Sequence, residues 1–274
     1  MSGFASMIYA LFGRRAIAGG YFMLFSMRLD ETGTDGRSAH VTVGGAVAQI
    51  PQWDALEAAW ARKLKPKGID YFHLKEFDQR QDHYEGWSDF KCRLFENSLN
   101  KIIERNTLFR STFSVDSAAH ASVKERMRGI RGFRSESDYS LCLRTLMFWA
   151  CEELARVDPD CELSVIVEDG PWSAGAAETY QRVAEMTGGH KPAKHAHRLA
   201  GFLSIPKGKL HSLDAADFIV GREHDRLVAG LRAGKDAPVL AHLLTAEDME
   251  TYYEGMIREK EARRKFGNRA KGAG

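Results

Sequence analysis

Two hydrophobic periods alternate along the chain, and each marks an element. YFMLFSMRLD is apolar almost throughout and stops at two adjacent carboxylates, Asp30 and Glu31. That pattern predicts a strand buried on both faces, with a turn at TGTDG. HVTVGGAVAQI has the β-branched alternation of a hairpin partner. Gly44 and Gly45 break it, which predicts a bulge or a close backbone approach. Pro51 opens a helix, QWDALEAAWARKL, that ends before Pro66. IDYFHLKEF reads as a third strand running into a turn. WSDFKCRLFENSLNKIIERN reads as an amphipathic helix with Phe90, Leu94, Ile102 and Ile103 facing inward. TLFRSTFSVD is a strand, and KERMRGIRGFR after it is a loop or a mobile helix. SDYSLCLRTLMFWACEELARV is apolar on most faces, as a central, well-buried helix is. ELSVIVEDG is a continuous apolar strand ending in Glu168 and Asp169. GAAETYQRVAEMTG reads as a helix closed by glycine, LAGFLSIPKG as a short strand, and LDAADFIVGREHDRLVAGL as the last clear helix. Alternation of this kind predicts an α/β domain with a mixed sheet, a starting hairpin followed by strand–helix crossovers.

With 274 residues, 44% of them hydrophobic and 28% charged, the chain is long enough for one large domain with insertions. Residues 1–20 are expected to form a poorly structured leader or short helix, residues 21–232 a single α/β domain, and residues 233–274 a helical and basic tail. No apolar run approaches the ~20 residues of a membrane span. FASMIYALF meets Arg14 and Arg15 and lacks a basic start and a cleavage site, so it does not read as a signal. A start downstream, at Met23 or Met27, is a further alternative. None of the four cysteines forms a CxxC pair, which suggests buried thiols in a reducing, cytoplasmic setting. Net charge is +2, yet seven Lys or Arg and only two Glu lie from Arg258 onward, leaving the body slightly acidic. Such a tail attracts phosphates or is simply solvated.

The acids carry the candidate chemistry. Ligands of open α/β sheets bind outside the carboxyl ends of strands, where Asp30, Glu31, Glu168 and Asp169 are expected. At ~100° per residue, Leu213, Ala216, Ile219, Val220 and Leu227 make one apolar stripe on the last helix. Asp217 lies at its edge, half-buried, and Asp214 lies further round toward water. Gly221, one turn after Asp217, removes bulk on that face. Half-buried acids from distant segments repel one another, and a divalent cation resolves the conflict. Mg²⁺ takes oxygen ligands, typically one or two carboxylates plus waters and phosphate oxygens. The plain alternative is a set of turn and cap acids, with Asp169 in a DG turn and Asp217 paired with Arg222 or another base.

DETG after the first strand, the glycine-containing second strand and SLDAADFIVG near the end together resemble the domain of unknown function 3800 family. Its members carry a DESG-like motif early and an LQxAD-like motif late. The similarity runs from about residue 23 to about residue 232. The resemblance implies a ribonuclease H-like mixed β-sheet flanked by helices, here with helical insertions. It also implies catalytic acids on the first strand, a later strand end and the last helix, which on this chain are Asp30, Glu168 or Asp169, and Asp217. Thr32 replaces the usual serine, and Asp214 stands where glutamine is usual. Sites of this fold often take a further acid from the middle of the chain, where Glu76 follows an aromatic run. Histidine as a residue type suits proton transfer near neutrality, and His73 stands beside Glu76.

Other constellations are weaker. His190, His195 and His197 include an HxH pair that can bind zinc, but no acid or cysteine is near in sequence, and the lysines around them suit a phosphate-contacting or inert loop. Lys124, Arg126, Arg128, Arg131 and Arg134, with Phe133 among them, suit a nucleic-acid backbone or a solvated surface. No GxxxxGK[ST] or GxGxxG element appears, which argues against nucleotide or dinucleotide cofactors. No GxSxG elbow and no paired cysteine and histidine appear either. Trp53, Trp60 and Trp149 fall at apolar helical positions and are expected in the core. The expected activity is Mg²⁺- or Mn²⁺-dependent hydrolysis of nucleic-acid phosphodiester bonds. The alternative is a non-catalytic ribonuclease H-like module that binds nucleic acid or a partner protein. The sequence sets no oligomeric state.

Overall fold

A computed structural model of the chain describes residues 24–158, 161–185, 199–230 and 239–271. The leader expected over residues 1–20 and the histidines His190, His195 and His197 lie outside the described residues. In chain order the elements are β1 (Leu24–Thr32), β2 (His40–Gln49), α1 (Ile50–Leu64), α2 (Leu74–Asp78), α3 (Asp89–Asn106), β3 (Phe109–Asp116), α4 (Ser117–Met127), α5 (Asp138–Val157), β4 (Glu162–Glu168), α6 (Ser173–Glu185), β5 (Leu199–Ile205), α7 (His211–Val228), β6 (Leu240–Leu244) and α8 (Ala246–Lys271). The strands form one mixed sheet in the order β5-β4-β1-β2-β3-β6. β2 runs antiparallel to β1 and β3, while β1, β4 and β5 are mutually parallel, as are β3 and β6. With helices on both faces, this is the ribonuclease H-like α/β fold that the motifs implied.

Period-two alternation sends successive side chains of β1 to opposite layers. Phe25, Met27 and Leu29 join a core made with α5, to which α4 adds Val123 and Met127 and α8 adds Met249 and Tyr253. On the other face, α1, α3 and α7 build a second core around Trp53, Trp60, Phe72, Phe95 and Phe218. Ser26, Arg28 and Asp30 point into that second layer, where the Arg28 guanidinium is buried over the Trp53 ring, 5.1 Å from its centroid. Trp53 and Trp60 are fully buried and Trp149 packs at the core's edge against Phe109. The four cysteines are buried and form no disulfide among the described residues. No helix among the described residues is long and apolar enough to cross a membrane.

The glycines of β2 mark a close approach, not a bulge: the β1–β2 register runs unbroken from Phe25↔Gln49 to Thr32↔Thr42. A Cβ on Gly45 (φ +152°) would stand 1.9 Å from the Arg28 carbonyl oxygen. Three expectations need correction. IDYFHLKEF is not a strand; it is an irregular segment leading into α2, and its apolar side chains Ile69, Phe72, Leu74 and Phe77 plug the second core. In α3 the buried stripe is Cys92, Phe95, Leu99 and Ile103, while Phe90 and Leu94 are exposed. The inner face was misplaced because both faces of that helix carry apolar residues. Third, the chain after residue 232, expected as a tail, supplies β6 to the sheet and Met249 and Tyr253 to the core.

Candidate functional site

The parallel register of β1 and β4 ends at Leu29↔Val167. The next residues are Asp30 and Glu168, so two neighbouring strands each present a carboxylate at the same edge of the sheet. α7 crosses above them and brings Asp217. These three acids, with Glu31, Thr32 and Asp214, line a cleft of 420 Å³.

Backbone N–H groups hold the two acids of α7, and bases add to Asp214 and Glu168. Glu57 of α1 accepts from the first two N–H groups of α7, His211 and Ser212, at 2.9 Å each. A carboxylate there satisfies orphan donors and complements the helix dipole. Further along, Asp214 Oδ2 accepts from Phe72 N–H (3.1 Å) and lies 3.0 Å from His211 Nδ1, and Asp217 Oδ2 accepts from Leu74 N–H (2.8 Å). The irregular segment before α2 is thus strapped to α7 by the two acids of LDAAD. The strap also corrects the expected order of burial. Asp214 is the buried acid and Asp217 the half-buried one, because the segment covers the side of α7 that helix geometry alone turns toward water. The space left by Gly221 is filled by Leu74, whose Cδ2 would lie 2.1 Å from an added Cβ. Asp217 makes no pair with Arg222, which binds Asp78 and Glu96.

Electrostatics in the cleft run against ionisation. Burial, then Asp217 and Glu31, push the Asp30 carboxyl well above the usual range. Burial, then Glu168 and Asp217, raise Glu31 to about 7. Glu168 is raised by burial, with Lys207 partly offsetting it and Asp217 adding to it. Asp217 is raised by burial against the opposing hydrogen bond from Leu74. Asp214 is raised by burial despite its bonds from His211 and Phe72. Acids that repel one another at the mouth of a sheet are a physical signature of a functional site.

The other expected site residues are placed as follows. Asp169 is exposed and turns its Oδ1 toward Ser173 and Ser204, 3.1 Å from each hydroxyl; it does not line the cleft. Glu76 sits in the first turn of α2 with Oε1 3.1 Å from His73 Nδ1; His73 lines the cleft and Glu76 does not. Of the basic stretch, Lys124 lies 3.6 Å from Asp138, Arg126 pairs with Glu250, and Arg128 pairs with Glu125. α4 packs with α8 on the layer opposite α7, and none of Lys124, Arg126, Arg128, Arg131 and Arg134 lines the cleft. Among the lining residues that escaped sequence reasoning, His224 and Lys207 stand nearest the chemistry. His224 lies two turns after Asp217 on the same face of α7, a spacing that was legible. Lys207 sits in the turn before α7, where no periodicity marks it. Both His224 ring nitrogens are engaged, Nε2 with Ser38 (3.1 Å) and Nδ1 with Thr42 (3.0 Å), so it is not a ready metal ligand.

The carboxylates of the cleft supply hard oxygen donors, which suit a cation such as Mg²⁺ or Mn²⁺. Among the described residues, no group of three or more His, Cys, Asp or Glu side chains is arranged to hold a metal ion. One or two carboxylates completed by water are enough for Mg²⁺, and Asp217 keeps Oδ1 outside its bond to Leu74.

No known family profile matches the chain. No curated protein matches it either. Among solved structures, Bst-RNase HIII in complex with Mn²⁺ is similar at 15% identity and a TM-score of 0.38, with 80% of this chain and 60% of that one covered. The chain therefore spans 60% of the length of that protein. The fold assignment rests on the sheet order and its two helical layers. Together with the cleft, they define an α/β protein of ribonuclease H-like class with an acid-lined groove at its parallel strand ends.

Proposed function

We propose that the chain is a divalent-metal-dependent nuclease of the domain of unknown function 3800 type, hydrolysing nucleic-acid phosphodiester bonds at the Asp30 cleft. The observation that carries the reading is the convergence of Asp30, Glu168 and Asp217, remote in sequence, on one cleft where burial and mutual repulsion oppose their ionisation. Asp30, Glu168 and Asp217 are the residues to hold Mg²⁺ or Mn²⁺, with Glu31 beside them. When bound, the cation supplies an activated water and stabilises the leaving oxygen. Leu74 N–H fixes the Asp217 carboxylate through Oδ2 and leaves Oδ1 outside that bond. Asp169 and Glu76 are left with structural bonds in this reading. The Lys124 to Arg134 stretch lies outside the cleft, with Lys124, Arg126 and Arg128 engaged by acids, and in this reading would meet nucleic acid only away from the reacting bond.

The test is Mn²⁺-dependent cleavage of single-stranded DNA, RNA and hybrid substrates by the wild type and by Asp30→Asn. Activity in the wild type and a loss of at least about a hundredfold in the variant are expected, the scale for removing a group that stabilises developing charge. Equal activity in both points to another site or a contaminant. Oligonucleotide binding that ignores Mn²⁺, without cleavage, replaces the enzyme with a non-catalytic binding module.

A further inference from the structure

The acid cleft is lined by two lysines, Lys75 and Lys207, that the metal chemistry leaves unexplained, and Lys207 is the one paired with an acid of the site. β5 ends at Ile205, and Pro206 to Lys209 form a turn closed by Lys209 N–H to the Pro206 carbonyl (3.3 Å). Gly208 has φ +72°, the conformation that the third position of a type II turn requires. A Cβ on Gly208 would meet the Tyr71 ring at 3.5 Å, so the turn is backed by an aromatic side chain. Lys207 is presented at the second position. Its ammonium lies 5.9 Å from the Tyr71 ring centroid and 3.9 Å from Glu168 Oε1. The side chain is 46% exposed, and the ion pair is at the long limit of such contacts. A pair of that kind holds weakly, so the ammonium turns away from Glu168 easily. Lys75, the other lysine in the lining, makes no ion pair among the described residues.

We propose that Lys207 is the substrate-phosphate contact of the cleft. It pairs with Glu168 and would be free to contact a non-bridging oxygen of the phosphodiester if Glu168 held a divalent cation. The inference rests on the function proposed above. A lysine on a short turn suits this role because it is a mobile point charge, where an arginine fork demands fixed geometry. The Tyr71 ring supports the charged head from behind. An ammonium beside the acids also competes with a divalent cation for Glu168. Lys207 therefore has opposite effects on the two ligands, weakening the hold on metal and strengthening the hold on nucleic acid.

The test uses the full chain with Lys207→Met and Lys207→Arg. Mn²⁺ binding is measured by titration calorimetry, and binding of a labelled single-stranded oligonucleotide by fluorescence anisotropy, in EDTA and in Mn²⁺. For Lys207→Met, Mn²⁺ affinity should rise about two- to tenfold and oligonucleotide affinity in Mn²⁺ should fall by about fivefold or more. Lys207→Arg should keep most of the oligonucleotide affinity. Tighter Mn²⁺ binding with unchanged oligonucleotide affinity overturns the proposal and leaves Lys207 as a counter-ion. Mn²⁺-dependent cleavage by the wild type with both variants unaltered overturns it while the nuclease reading stands. A wild type that neither binds Mn²⁺ nor cleaves brings down the nuclease reading, and Lys207 with it. Melting temperatures check that the exposed turn tolerates each change.

Discussion

Glu31 shows how one residue ties the site to stability. Burial and the neighbouring Glu168 and Asp217 raise its carboxyl from 4.5 to about 7. A carboxyl with a raised folded pKa takes up a proton on folding, so stability is present at low pH and is lost as pH rises. For Glu31 the window lies between about 4.5 and about 7, and Asp30, Glu168 and Asp217 act in the same direction. His211, raised by its bond to Asp214, adds to the fall, while His224, lowered by burial, opposes it. Glu31→Gln isolates the acid, since the amide mimics its protonated form. The variant should match the wild type near pH 5 and exceed it near pH 8 by on the order of 2 kcal/mol in EDTA, measured by urea unfolding. Saturating Mn²⁺ should stabilise the wild type most at pH 8, where protons no longer compete. A wild-type profile that Glu31→Gln leaves unchanged would remove the repulsion on which the site depends.

At the scale of elements, α7 is fixed from three directions, and its N-terminus is the most vulnerable point. Glu57 takes both the His211 and Ser212 N–H groups and also lies near the buried Arg28, whose charge it favours. Glu57→Ala should cost about 2–4 kcal/mol, combining a lost cap with a less compensated buried guanidinium. Chemical denaturation reads the cost. Mn²⁺ affinity should fall with it, because the same helix carries Asp217; an unchanged affinity would mean that the strap to Phe72 and Leu74 holds α7 alone. The strap is also the element that sequence could not reveal. Helix geometry ordered Asp214 and Asp217 around α7 correctly, but their burial depends on what covers the helix. The covering segment, IDYFHLKEF, has the apolar density of a strand, and no period in it says that its N–H groups will be taken by two aspartates. By contrast, β1, β2 and β4 were legible because continuous or alternating apolar runs have few other solutions, and their terminal acids came with them. The choice between Glu168 and Asp169 was not legible, since it turns on one step of strand register: Glu168 shares the face of Ile166, while Asp169 accepts from Ser173 at the start of α6 and from Ser204 of β5.

Across the whole molecule, the two helical layers do different work. Asp30, Glu168 and Asp217 lie on the α7 side of the sheet, and the opposite layer is closed by α8 through buried polar contacts. His120, fully buried, lies 2.6 Å from Asp138 and 2.7 Å from the Tyr253 hydroxyl, which also accepts from Glu136 N–H at 3.3 Å. With Nδ1–H donated to Asp138, Nε2 is left to accept the phenol proton. Beside this network, Glu136 pairs with Arg144 and accepts from Tyr252 at 2.8 Å. These contacts explain why residues after 245 belong to the fold although their composition reads as a basic tail: the two tyrosines that bind them are spaced to disappear among charged neighbours. Tyr253→Phe keeps the ring and deletes the hydroxyl, leaving His120 Nε2 and Glu136 N–H without that partner. The expected cost is about 1–3 kcal/mol, seen as a lower denaturation midpoint. Because the sheet lies between Tyr253 and the cleft, Mn²⁺ affinity and the pH profile set by Glu31 should stay at wild-type values under conditions where the variant is folded. A parallel loss of metal binding would show that closure of one layer governs the acids on the other, and the sheet would then be a coupling element instead of a partition.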